Sequence, residues 1–158
     1  MNKHLTRLLA LTIVLLILGW FLGWFEQDLS DEDQVRAAIH AVADGAEAGR
    51  IDDAIKPFSH AYEDQEGLDR PAIYGLLWSQ FSKRGSITVW LSAIDVKVHQ
   101  DHAQARFDAA LIEGQEGAVI GWPVNADVLT FEVDLRKDGD GWLITGHSRR
   151  PALQLQGR

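Results

Sequence analysis

The 158-residue chain contains no cysteine, a single methionine and only four prolines. The missing thiols exclude a disulfide scaffold, a thiol nucleophile and cysteine-ligated zinc. Acid is missing from the N-terminal stretch: no Asp or Glu precedes Glu26, while Lys3 and Arg7 supply the only Lys or Arg there. Basic charge is scarce beyond Phe25, where 13 Lys and Arg face all 23 acids, a formal charge of −10. So acidic a region is a poor binder of nucleic-acid phosphates, and no nucleic-acid partner is expected. Glycine-rich phosphate loops are also missing, because Gly114, Gly117 and Gly121 lack the spacing and the Lys-Ser/Thr ending. No Gly-x-Ser-x-Gly elbow occurs.

What is present is a division into two unlike parts. Leu8–Phe25 is an uncharged, almost wholly apolar run of 18 residues. As a helix it spans ~27 Å, against a hydrocarbon core of roughly 30 Å. Lys3 and Arg7 flank it upstream, and Trp20, Trp24 and Phe25 sit at its downstream end, where an aromatic belt belongs. The bulky Gly-Trp-Phe-Leu-Gly-Trp-Phe ending lacks a small-x-small cleavage site. The expectation is a cytoplasmic stub at 1–7, a transmembrane helix at 8–28, an exterior domain at 29–151 and a flexible tail at 152–158. The expected topology is a single pass, with the N-terminus on the cytoplasmic side and the domain outside. Gly19 and Gly23 give a Gly-x3-Gly pair that fits a helix-dimer face.

Within the exterior part, Ser30 or Asp31 is placed to cap a helix. Val35, Ala38, Ile39, Val42 and Ala46 repeat at helical spacing. Arg50–Asp53 starts a short second helix that Pro57 stops. Phe58–Glu63 reads as extended or irregular, Asp64–Gly67 as a turn, and Asp69 as the cap of a third helix with Pro71 in its first turn. That helix is expected to use Ile73, Leu76, Leu77 and Phe81 on its apolar face, with Trp78 joining them, and to end at Gly85. Thereafter alternation takes over. Ile87, Val89 and Leu91 lie on one parity and Ile94, Val96 and Val98 on the other, which implies a β-bulge near Ser92-Ala93. His99–His102 is a hairpin turn, and Ala103 to Leu111 the returning strand. Glu113–Gly121 is a loop, Leu129–Leu135 a strand, Lys137–Gly141 a tight turn, and Trp142 opens the last strand. Helices followed by antiparallel strands define an α+β domain.

This order, the Phe58–Tyr62 segment between helices, the bulged strand and the Asp138-Gly139-Asp140-Gly141-Trp142-Leu143 hairpin resemble the NTF2-like superfamily. Its members include nuclear transport factor 2 and ketosteroid isomerase. Among them the chain is most similar to uncharacterised bacterial proteins with an N-terminal anchor, through Tyr62-Glu63-Asp64, Gly67 and Asp69-Arg70. The resemblance implies a cone: N-terminal helices packed on a curved antiparallel sheet, with a cavity serving catalysis, ligand binding or partner contact.

Tyr62 and Asp64 share a parity, so together they form the catalytic candidates, a donor and a carboxylate base. The bland alternative is that Tyr62 packs and Asp64 caps its turn or pairs with Arg70. Arg70 and Trp122 join Tyr62 as ligand-binding candidates, although Arg70 also fits an ion pair with Glu63 or Asp64. Asp95 is expected to point outward. His60 and His147 are not paired securely by the sequence. His99, Asp101 and His102 lie on an exposed hairpin with too few fixed ligands for a metal, and no metal or cofactor is expected. Trp90 lies out of phase with Val89 and Leu91 and is the interface candidate, for a homodimer or another protein. These residues favour a membrane-tethered, non-catalytic domain for protein interaction or assembly. A small hydrophobic ligand-binding module and an isomerase- or dehydratase-like enzyme stand as alternatives.

Overall fold

The computed structural model describes residues 29–81, 87–113, 123 and 126–152. The expected membrane helix, the end of the third helix, the Gly-rich loop with Trp122, and the tail beyond Ala152 lie outside these residues. Among the described residues no helix is long and apolar enough to cross a membrane.

Among the described residues, three helices precede five strands. Helix α1 is Asp31–Glu47, α2 is the single turn Ile51–Ala54, and α3 is Arg70–Phe81. Strands β1 (Ile87–Leu91), β2 (Asp95–His99), β3 (His102–Glu113), β4 (Leu129–Asp138) and β5 (Gly141–Pro151) form one antiparallel sheet. Both β1 and β2 pair with β3, and the sheet continues through β4 to β5.

The helical stripe behaves as its spacing dictates. Val35, Ile39, Ala43 and Ala46 are buried, and Ala38 and Val42 pack beside them. At the end of α1, Gly45 permits a close crossing: a Cβ there would lie 2.5 Å from the Ala54 nitrogen. The sheet supplies the opposing layer through Ala103, Ala105, Phe107, Val133, Leu135 and Ile144.

The bulge expected near Ser92 is present. Leu91 pairs with Ala109 and Asp95 with Arg106, so four steps on one strand answer three on the other. Ser92 closes the gap, its Oγ accepting from the Asp108 N–H at 2.8 Å and its own N–H donating to the Asp108 carbonyl at 2.9 Å. Asp95 is exposed, as its parity requires.

A second bulge lies in β5. Leu135 pairs with Ile144 but Asp134 with Gly146, leaving Thr145 as the extra residue. Inward-facing positions therefore run Trp142, Ile144 and then His147, Arg149. This change of phase builds the site described below.

Helix α3 departs from expectation. Asp69 caps it as predicted, accepting from the Ala72 N–H at 2.9 Å. Only Ile73 is buried, with Leu77 packed against the core, while Leu76 and Trp78 are 40% and 48% exposed. The helix is fastened by its first turn and by Ile73 and Leu77, while Leu76 and Trp78 remain exposed.

Candidate site on the concave face

Segment 57–63 places Tyr62. It runs along the edge of β5: the Ile144 N–H donates to the Pro57 carbonyl, the Ser59 N–H to the Ile144 carbonyl and the Glu63 N–H to the Thr145 carbonyl, at 2.7, 2.8 and 3.1 Å. Gly146 makes this approach possible, since a Cβ there would stand 3.0 Å from the Glu63 carbonyl oxygen. Tyr62 is consequently 2% exposed, edge-on to Phe58 with ring centroids 5.1 Å apart.

The Tyr62 hydroxyl meets Nδ1 of His147 in a hydrogen bond. The His147 ring stacks on Phe131 at 5.9 Å, and Phe131 on Phe107 at 5.7 Å. The polar couple thus sits at one end of an aromatic row on the concave face. His147 is half-buried, and among the described residues its Nε2 has no hydrogen-bond partner.

The surroundings keep both members neutral. Burial, and secondarily the Asp64 charge, push the Tyr62 hydroxyl well above its usual range, with Arg149 acting the other way. Burial is also the main cause that lowers the His147 pKa. Asp64 opposes it, Arg149 adds to it, and Glu66 opposes it. Near neutral pH the couple is therefore a phenol and a neutral imidazole. The buried phenol O–H needs an acceptor, and Nδ1 is the one it meets, so Tyr62 donates to Nδ1. The imidazole proton then resides on Nε2, the unpartnered nitrogen.

The other candidates resolve differently. Asp64 is buried, and its Oδ1 accepts from the Glu66 and Leu68 N–H groups at 2.9 and 2.8 Å. It stabilises the 64–67 turn and lies close enough to act electrostatically on the couple. Arg70 does not pair with Glu63 or Asp64. Its Nε donates to the Phe58 carbonyl at 3.1 Å and its NH2 to the Ile55 carbonyl at 3.3 Å, which ties α3 to the segment carrying Tyr62. Asp64 is already committed to its own turn, and the guanidinium is held by the two backbone carbonyls. Arg149, on the same strand face as His147, reaches Glu66 at 3.4 Å. His60 is exposed, and His102 pairs with Asp101 at 2.7 Å on the exposed hairpin. Trp90 is half-buried on the convex face, opposite Ala110. Trp122 lies outside the described residues.

Among solved structures the chain is similar to a putative dehydratase from the NTF2-like family of Streptomyces avermitilis. That match has a TM-score of 0.62 at 17% identity, covering 78% of this chain and 98% of the other. The fold is NTF2-like. An NTF2-like protein with a cystatin-like fold from Novosphingobium aromaticivorans aligns with TM-score 0.61 at 19% identity, covering 89% of this chain and 90% of that one. Bdellovibrio bacteriovorus Bd1075 gives 0.63 at 15% identity over 77% of this chain, which spans only 41% of that larger protein. No protein-family model matches the sequence, nor does any functionally curated protein. At these identities the NTF2-like likeness extends to the fold, and function must come from the site.

Proposed function

We propose that the protein is a membrane-tethered NTF2-like domain that holds a small, largely apolar molecule on its concave face without turning it over. The carrying observation is the Tyr62–His147 couple, a buried phenol fixing an imidazole whose second nitrogen is unpartnered at the end of the Phe131–Phe107 row. Asp64 supports holding rather than turnover. Among the described residues it is the one buried carboxylate beside the couple, and its Oδ1 is committed to its turn, unlike a base aimed at a substrate. The Leu8–Phe25 run, with Lys3 and Arg7 before it, supports the tether and a periplasmic domain.

The test is native mass spectrometry of the full chain extracted in mild detergent. A retained small molecule that is lost in His147→Ala is the expected result. An empty wild-type protein, or equal retention by the variant, would overturn the reading.

A second reading, protein assembly, rests on α3. Tyr74 and Trp78, one turn apart on α3, are both more than a third exposed, and Leu76 is exposed on another side of the same helix. Light scattering of Trp78→Ser and Trp90→Ala beside the wild type tests it. Assembly through α3 predicts a lower mass for the first variant only, and assembly through the convex face a lower mass for the second only.

A further inference from the structure

We infer that Tyr62 is a specificity-determining residue: by fixing the tautomer of His147 it makes the site select ligands that present a neutral hydrogen-bond acceptor, such as a ketone or amide carbonyl, on an apolar body. The inference rests on the ligand-binding reading above.

An isolated neutral imidazole carries its proton on either nitrogen and so serves donor and acceptor ligands alike. Here the choice is removed. With the proton on Nδ1, that nitrogen would donate to the Tyr62 oxygen, and the buried phenol O–H would lose its acceptor. Leaving a buried hydroxyl unsatisfied disfavours that tautomer by roughly 5- to 150-fold. The proton is therefore on Nε2, which faces a ligand only as a donor.

Charge narrows the class further. Among the described residues, Asp64 and Glu66 both act on His147, and the cation that acts on it, Arg149, already pairs with Glu66. These three groups leave one negative charge beside the ring, which disfavours a carboxylate or phosphate ligand. A cation finds a donor N–H where it needs an acceptor. The apolar body is matched by the face beyond the couple, where Phe131 and Phe107 lead to Ala109 and to the 40%-exposed Leu111.

The test compares three probes with one ring system: 2-acetylnaphthalene, 2-ethylnaphthalene and 2-naphthoate. Binding is measured on the detergent-solubilised full chain, with free concentrations fixed by equilibrium dialysis. One neutral hydrogen bond corresponds to about three- to tenfold in affinity. The wild type should bind the acetyl probe by about that factor over the ethyl probe, and the naphthoate weakest. Tyr62→Phe keeps the ring and frees the tautomer; with the proton shared about equally between the two nitrogens, the acetyl-to-ethyl ratio should fall about twofold while the ethyl probe still binds. His147→Phe keeps the stack on Phe131 and should abolish the ratio. Equal binding of all three probes, tightest binding of the naphthoate, or an unchanged ratio in Tyr62→Phe would each overturn the tautomer inference and leave ligand binding standing. Absence of binding by any probe would overturn both.

Discussion

On the inward face of strand β5, a polar contact lies on each side of the Thr145 bulge, Trp142 with Asp31 and His147 with Tyr62, and the two are built to different ends. On the N-terminal side, Trp142 Nε1 donates to Asp31 Oδ1 at 3.1 Å, and Lys137 Nζ donates to the same oxygen at 2.7 Å. The Lys137 ammonium also lies 5.9 Å from the Trp142 ring. The hydrogen bonds from Lys137 and then Trp142 hold the Asp31 carboxyl below its usual range. Trp142 has a single N–H and it is used, so this contact is closed, and it fastens the start of α1 to the β4–β5 hairpin. On the C-terminal side, Tyr62 satisfies one nitrogen of His147 and leaves the other open. A polar group with every hydrogen bond filled acts as a staple. One held rigid on one side and unfilled on the other is a receptor for something else.

The largest expected effect comes from breaking the closed contact. Trp142→Ala removes a ring that is 4% exposed and should lower unfolding free energy by about 3–5 kcal/mol, read by urea denaturation. His147 variants, by contrast, should alter ligand retention far more than the urea midpoint.

Next is Gly146→Ala. Its Cβ would press on the Glu63 carbonyl, which cannot withdraw without weakening the Glu63–Thr145 hydrogen bond. The expected cost is about 1–3 kcal/mol, together with lost ligand retention as Tyr62 is pushed from His147. Unchanged stability and retention would show that the segment's seat on β5 is loose.

A smaller effect is expected for Tyr62→Phe. It removes one hydroxyl with its hydrogen bond, worth about 1 kcal/mol, and leaves packing against Phe58 intact.

The pH response is the mildest probe. Folding lowers the His147 pKa below its ordinary 6.5, so the unfolded chain binds that proton more readily. Stability from this group is fully present above about 6.5 and declines as pH falls from there to the folded pKa, below which the group adds no further slope. His147→Phe should flatten that part of the stability profile. A slope equal to wild type would assign it to other groups.

Much of the fold was legible in the chain. The stripe Val35–Ile39–Ala46, the Asp69 cap, the turn at Asp64–Gly67 and the bulge at Ser92 are local patterns, and the structure carries each of them. The site was half legible. Tyr62 was found by its place between the helices, but its partner was hidden, because strict alternation from Trp142 and Ile144 turns His147 outward. The Thr145-Gly146 pair was the available signal, since glycine inside a strand marks a bulge or a close backbone approach, and here it marks both. Arg70 was misassigned because its acceptors are backbone carbonyls 12 and 15 residues away, which no side-chain pattern announces. Leu76 and Trp78 were misplaced because the helical period gives a stripe without saying how much of the helix another layer covers.

The central claim is that His147 is neutral with its proton on Nε2. Nitrogen-15 NMR of the ring-labelled full chain at pH 7 tests it most directly. The account predicts a protonated Nε2, an unprotonated Nδ1 shifted by the Tyr62 hydrogen bond, and a reversal toward mixed tautomers in Tyr62→Phe. A proton on Nδ1, or a fully charged ring at that pH, would contradict it.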